Sequence, residues 1–225
     1  MGPRRLRTMV LLLGAVTAQA CGGPGSDVAP PGPAPPTAEL AALYRARTDS
    51  ALARFTAADA EFMTHMIAHH AQGLVMAGLA PERAASPSVL TLAARIGSAQ
   101  RDEITLMRAW LEDRGLPVPE PRDAGGGDVT ADADQTMLSA GMLTPAQMRA
   151  LRGAAGRDFD SLFLAYMIQH HRGAVTMIHD LFATAGAAQD ASVFRIASDV
   201  QADQTTEIAR METMLGGRDA APGPG

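Results

Sequence analysis

Two adjacent histidine pairs, His69-His70 and His170-His171, sit about a hundred residues apart, each inside a copy of the same phrase. Phe62-Met63-Thr64-His65-Met66-Ile67-Ala68-His69-His70 returns as Phe163-Leu164-Ala165-Tyr166-Met167-Ile168-Gln169-His170-His171. Imidazole nitrogen and thioether sulfur are borderline and soft donors of the kind that hold transition-metal ions, and here they recur together at fixed spacing. His65 has no counterpart in the second copy, where Tyr166 stands, and the sixth histidine, His179, is also unmatched and is expected at the surface.

A helix turns about 100° per residue, so spacing becomes geometry. Asp59, Met63, Met66 and His70 fall on one stripe, as do Asp160, Leu164, Met167 and His171. A second stripe carries Phe62, His69 and Met76, and again Phe163, His170 and Met177. Adjacent histidines therefore point in different directions and should not serve one ion in the same way. Either one ligates while the other supports it, or each belongs to its own site. Downstream, Gln100, Glu103 and Met107 share a face, as do Gln204, Glu207 and Met211. Glu103 and Glu207 are open to three roles: ligand, partner that orients a histidine, or solvated carboxylate.

A single methionine at helical spacing is ordinary core filler. Paired imidazoles on an otherwise apolar helix are not, because each buried ring needs a polar partner. The expected metal ligands are His69, His70, Met66, Met76, His170, His171, Met167 and Met177. Met63, His65, Asp59, Asp160, Glu103, Glu207, Met107 and Met211 are secondary candidates, as ligands or supporting groups.

The elements that must hold these residues are helical. Aromatics make up 4% of the chain and no strand pattern stands out. Long helices are expected from Thr56 or Asp59 to Leu79, near Pro81, and from Ser86-Pro87 to Arg114, with Gly115 as the stop. The segment 116–157 reads as a Gly/Pro/Asp-rich connector, with a short helical piece near Thr136–Leu138 and a short helix from Thr144-Pro145. Two more long helices should run from Asp158 to Ala185 and from Asp190 to Leu215, ending at Gly216-Gly217, with 216–225 a disordered tail. The matching Gln-x-x-Glu-Ile-x-x-Met phrases after each histidine helix make the halves, 56–115 and 158–215, two hairpins of one all-α, ferritin-like four-helix bundle spanning 56–215.

The doubled MIxHH motif, followed each time by Gln-x-x-Glu-Ile-x-x-Met, resembles the bacterial "domain of unknown function 305" family over roughly Asp59 to Leu215. The phrase Phe159-Asp160-x-x-Phe163-Leu164 is similar to that family too. The resemblance implies an exported helical bundle of ferritin-like architecture, and CopM-like members of the family imply copper binding in the periplasm. Family members often carry Pro before the histidine pair, where this chain has Ala68 and Gln169.

The N-terminus reads as an export signal over residues 1–20: Arg4, Arg5 and Arg7, then an apolar run from Met9 to Val16. That run is too short to span a bilayer as a mature helix. Cys21, followed by Gly22-Gly23-Pro24-Gly25, resembles a lipobox and would become a lipid anchor in the membrane. The alternative is ordinary cleavage leaving an incidental cysteine. Residues 21–55 read as a Pro/Gly tether with a short helix starting at Thr37. With one cysteine in the chain, no intramolecular disulfide can form. The chain has 19 basic residues, all Arg, and 24 acidic ones, for a formal charge of −5, which argues against nucleic-acid binding.

The leading expectation is an exported copper protein that sequesters Cu(I) or Cu(II) or hands it to a periplasmic partner, as a monomer or an oligomer. A di-metal oxidase of the ferritin-like kind is the alternative, with Asp59, Glu103, Asp160 and Glu207 as its carboxylates. The usual Glu-x-x-His pairing is missing from both histidine helices. An envelope-tethered structural module without metal is the third. No Ser-His-Asp or Cys-His constellation and no phosphate loop supports a hydrolase or nucleotide enzyme.

Overall fold

The computed structural model describes residues 37–52, 54–119 and 140–219. The export signal, Cys21 and the helical piece expected near Thr136–Leu138 lie outside them. Among the described residues every element is a helix: α1 (Thr37–Leu52), α2 (Ala57–Gly78), α3 (Ala80–Arg83), α4 (Pro87–Asp113), α5 (Pro145–Gly153), α6 (Gly156–Ala183) and α7 (Ala191–Asp219). By contact, the described residues divide after Ala41 into two units. Thr37–Ala41, at the start of α1, is the described part of the first. No helix among the described residues is long and apolar enough to cross a membrane.

Local chemistry sets the helix ends. Thr56 and Asp59 form a capping box that opens α2, and Thr144 and Gln147 do the same for α5. Pro87 occupies the first turn of α4, where its missing N–H costs nothing. Gly115, at φ +63°, stops α4, with the Leu116 N–H returning to the Leu111 carbonyl. α2 ends at Gly78, one residue short of the expected Leu79, and a separate short helix carries Pro81. After a break at Leu79, Pro81 sits in the first turn of α3, where proline is tolerated. α7 continues through Gly216-Gly217 to Asp219, so the expected tail begins later.

The four long helices form the expected bundle. α2 packs on α4 and α6 on α7; the two hairpins meet chiefly through α2 against α6, and more thinly through α4 against α7. α2 and α6 run antiparallel. Asp59, at the start of α2, accepts from the Ala188 N–H beyond the end of α6 at 2.7 Å. Asp160, at the start of α6, accepts from Ala85 and Ser86 beyond the end of α2 at 3.2 and 3.0 Å.

Two apolar clusters result, one toward each end, and both draw on both hairpins. The first joins Met63, Met66, Met107 and Trp110 to Ala174, Ile178 and Val200, with Met177 against it. The second joins Phe163, Leu164, Met167 and Met211 to Met76, Leu92 and Ile96.

Candidate metal centre

Between the two clusters lies a polar layer. His69, His70, His170 and His171 are fully buried, as are Gln100 and Gln204 almost completely. The rings of His69 and His170 lie 3.8 Å apart between centroids, tilted by 32°, where α2 crosses α6. Within each pair the rings are 6.3 and 6.2 Å apart and tilted by 55° and 53°, the divergence that helical geometry requires of neighbours.

All four rings are anchored through the same nitrogen. His70 Nε2–H donates to Glu103 Oε2 at 2.7 Å, and His171 Nε2–H to Glu207 Oε2 at 2.7 Å. His69 Nε2–H donates to the Ala140 carbonyl at 3.2 Å, and His170 Nε2–H to the His69 carbonyl at 3.0 Å. A carbonyl or carboxylate oxygen only accepts, so the proton of each ring must sit on Nε2. The four Nδ1 atoms are buried and have no hydrogen-bond partner. Burial pushes the His69 ring down to about 3, helped by the neighbouring charge of His70. Burial, then the charges of His69, His171 and His70, hold His170 well below its ordinary value. Both rings are therefore neutral at pH 7, with the Nδ1 lone pair free.

A buried polar atom without a partner costs about 1–3 kcal/mol, and the same atom recurs four times here. Imidazole held through one nitrogen by a carboxylate or carbonyl, with the other exposed to a cation, is the arrangement metal sites use. The residues present fit a soft or borderline metal ion on this ground. Among the described residues no three His, Cys, Asp or Glu side chains converge on one point. Further donors would come from thioethers. Met66 and Met167 lie one helical turn before their histidine pairs and are fully buried.

The remaining candidates separate by place. Met63 and Met107 are buried in the first cluster and Met211 in the second. Met76 is buried in the second cluster, which also holds Met167, and Met177 leans on the first, which also holds Met66. Glu103 and Glu207 hold histidines. Asp59 and Asp160 lie away from the histidines: their carboxylates bind backbone amides at opposite bundle ends. Each stands ten residues before its first histidine, about 15 Å along the helix. His65 is half-buried beside Glu61, Leu116 and Val118 in a surface groove, away from the polar layer. His179 is exposed and hydrogen-bonds Gln201.

One group is missed by sequence reasoning: the turn Ala140–Leu143, which closes the α2–α6 face. Gln72 brackets the Leu143 backbone N–H and C=O at 2.7 and 3.1 Å, and Gln169 donates to the Gly141 and Met142 carbonyls. Gly173 and Gly141 let the turn come this close, since a Cβ on Gly173 would run into the Ala140 carbonyl. The repeat holds the signal: Gly173 stands where the first copy has Gln72.

Known proteins share this arrangement of helices. Residues 59–215 match the family described as Domain of unknown function (DUF305). A DUF305 fragment from Deinococcus radiodurans is 31% identical, with TM-score 0.61, covering 72% of this chain and 97% of its own. A DUF305 protein from Streptomyces coelicolor is 28% identical, with TM-score 0.61, covering 75% and 96%. CopM in its Cu(I)-bound form is 25% identical, with TM-score 0.55, covering 71% and 96%. No curated protein matches the chain.

Proposed function

Because this chain belongs to the DUF305 family, we propose that it is an exported copper-binding protein that sequesters copper or hands it on in the cell envelope. The observation that carries the reading is the set of four buried imidazoles, each committed through Nε2 and each with an unpartnered Nδ1. His69, His70, His170 and His171 would supply the nitrogen donors for copper, and thioethers the sulfur, Met66 and Met167 first among them. Copper is the metal that accepts both donor types, with thioethers favouring Cu(I). CopM, solved with Cu(I) and with Cu(II), supports the choice at 25% and 27% identity. The exported location rests on the arginine-led apolar leader, and the lipid anchor on Cys21 and its setting.

The ferritin-like di-metal oxidase is the weaker reading. Of its four carboxylates, Asp59 and Asp160 are spent on backbone amides, and Glu103 and Glu207 on histidines.

The test is chelator competition with the protein lacking residues 1–20, against Cu(I) and Cu(II) separately. Tight uptake that disappears when all four histidines are changed to alanine supports the proposal. No uptake, or equal uptake by the four-histidine variant, overturns it.

A further inference from the structure

A buried ion needs a way in. The seams between α2 and α4 and between α6 and α7 are the closely packed interiors of the hairpins. The α2–α6 face is sealed by the Ala140–Leu143 turn, clasped by Gln72 and Gln169. Among the described residues that leaves the thinly packed seam between α4 and α7.

Polar side chains stand at the middle of this seam. Met107 shares a cluster with Ala197 and Val200, and Ile96 shares one with Met211, so α4 and α7 run antiparallel. Gln100 and Glu103 then stand level with Glu207 and Gln204. The Glu103 and Glu207 side chains are 12% and 17% exposed, while the histidines they hold are fully buried. They reach from the rim inward. Below them, Gln100 lies against Gly73 of α2, one turn beyond His70, and neither atom of its buried carboxamide has a partner. The Gln204 carbonyl oxygen is likewise buried and unpartnered. Outside, Asp199, Asp203 and Glu207 recur every four residues along one face of α7.

We propose that the α4–α7 seam is the port through which a hydrated divalent cation, copper in this reading, reaches the histidines, with Asp203 as its outer ligand and Gln100 and Gln204 as inner oxygen donors. The proposal rests on the copper-binding reading above. The carboxylates of Glu103, Glu207 and Asp199 all lie close enough to Asp203 to repel it, and Arg95 offsets them in part. A cation between them relieves that repulsion, and the concentrated negative charge raises its local concentration. The buried carboxamides supply the oxygens that replace shed water.

The probe is aqueous Cu2+, mixed rapidly with the protein lacking residues 1–20, and the readout is the fluorescence of Trp110, the only tryptophan. Three proteins are compared: wild type, Asp199→Asn/Asp203→Asn, and Asp180→Asn/Glu82→Gln. The last makes the same charge change at exposed positions on α6 and α3. The seam variant should load at least threefold more slowly at low ionic strength, with final stoichiometry and affinity unchanged. The gap should close as salt screens the charges. Gln100→Leu, which keeps the volume and removes the amide, should slow loading without changing stoichiometry. Equal loading rates for the two charge variants overturn the port while leaving the copper reading intact. A wild type that takes up no copper overturns both.

Discussion

His170 of the second hairpin donates its Nε2 hydrogen to the main-chain carbonyl of His69 in the first, 3.0 Å away, with the two rings 3.8 Å apart between centroids. The bond ties the ring of one half to the backbone of the other. The His170→Ala variant should therefore weaken copper binding in both halves. Chelator competition should show total affinity reduced by tenfold or more, with no class of sites left at wild-type affinity. A variant that simply loses half its copper would mean the halves are independent.

Glu103 and Glu207 hold His70 and His171, so in the proposed site they would act on copper through those histidines. Glu103→Gln keeps an acceptor for His70 Nε2–H but removes the charge that makes the ring a better donor. Loss of such a partner typically costs about 10- to 100-fold in metal affinity. That range is the expected outcome in competition experiments, with helical content unchanged by circular dichroism. Abolished binding would make Glu103 itself a ligand.

Asp160 and Asp59 should behave in the opposite way. Asp160→Ala leaves the amides of Ala85 and Ser86 without their acceptor, and Asp59→Ala frees the amides of Thr56 and Ala188. Each should cost about 1–3 kcal/mol in urea denaturation, with copper affinity preserved within about twofold. A copper defect without a stability defect would return them to the metal site.

The metal-free protein should lose stability on acidification. The unfolded chain binds a proton at His69 near the ordinary value of 6.5, whereas the folded chain binds it only at about 3. Between those values unfolding takes up protons, so stability falls as pH falls, by up to about 1.4 kcal/mol per pH unit for this one ring. His170 acts in the same direction. Urea denaturation from pH 7 to pH 4 should show this slope, and His69→Gln should flatten it. A pH-independent midpoint would contradict neutral, buried rings.

The helices and their duplication are legible in the sequence because they are written in local terms. Ser86-Pro87 opens α4, Gly115 closes it, and the repeated phrases place equivalent helices in both halves. Contacts between distant segments are not. Nothing around Ala140 announces that its carbonyl will meet His69, since a backbone acceptor leaves no mark in sequence. Asp59 and Asp160 share a stripe with Met66 and Met167, yet a helix face says nothing of which end of the bundle a residue occupies. Met76 and Met177 follow their own histidines in sequence, but the antiparallel crossing of α2 and α6 puts Met76 in the cluster that holds Met167 and Met177 against the one that holds Met66. The two glycines near the end of α7, each costing about 1 kcal/mol in a helix, have the look of a stop, but the helix passes through them.

In the proposed site, imidazole Nδ1 atoms and methionine sulfurs together hold copper in the bundle interior. X-ray absorption spectroscopy of the Cu(I)-loaded protein measures this directly. The predicted result is a mixed shell of imidazole nitrogen and thioether sulfur, with the nitrogen component lost when His69, His70, His170 and His171 are all alanine. A shell without sulfur, or one unchanged in that variant, would contradict it.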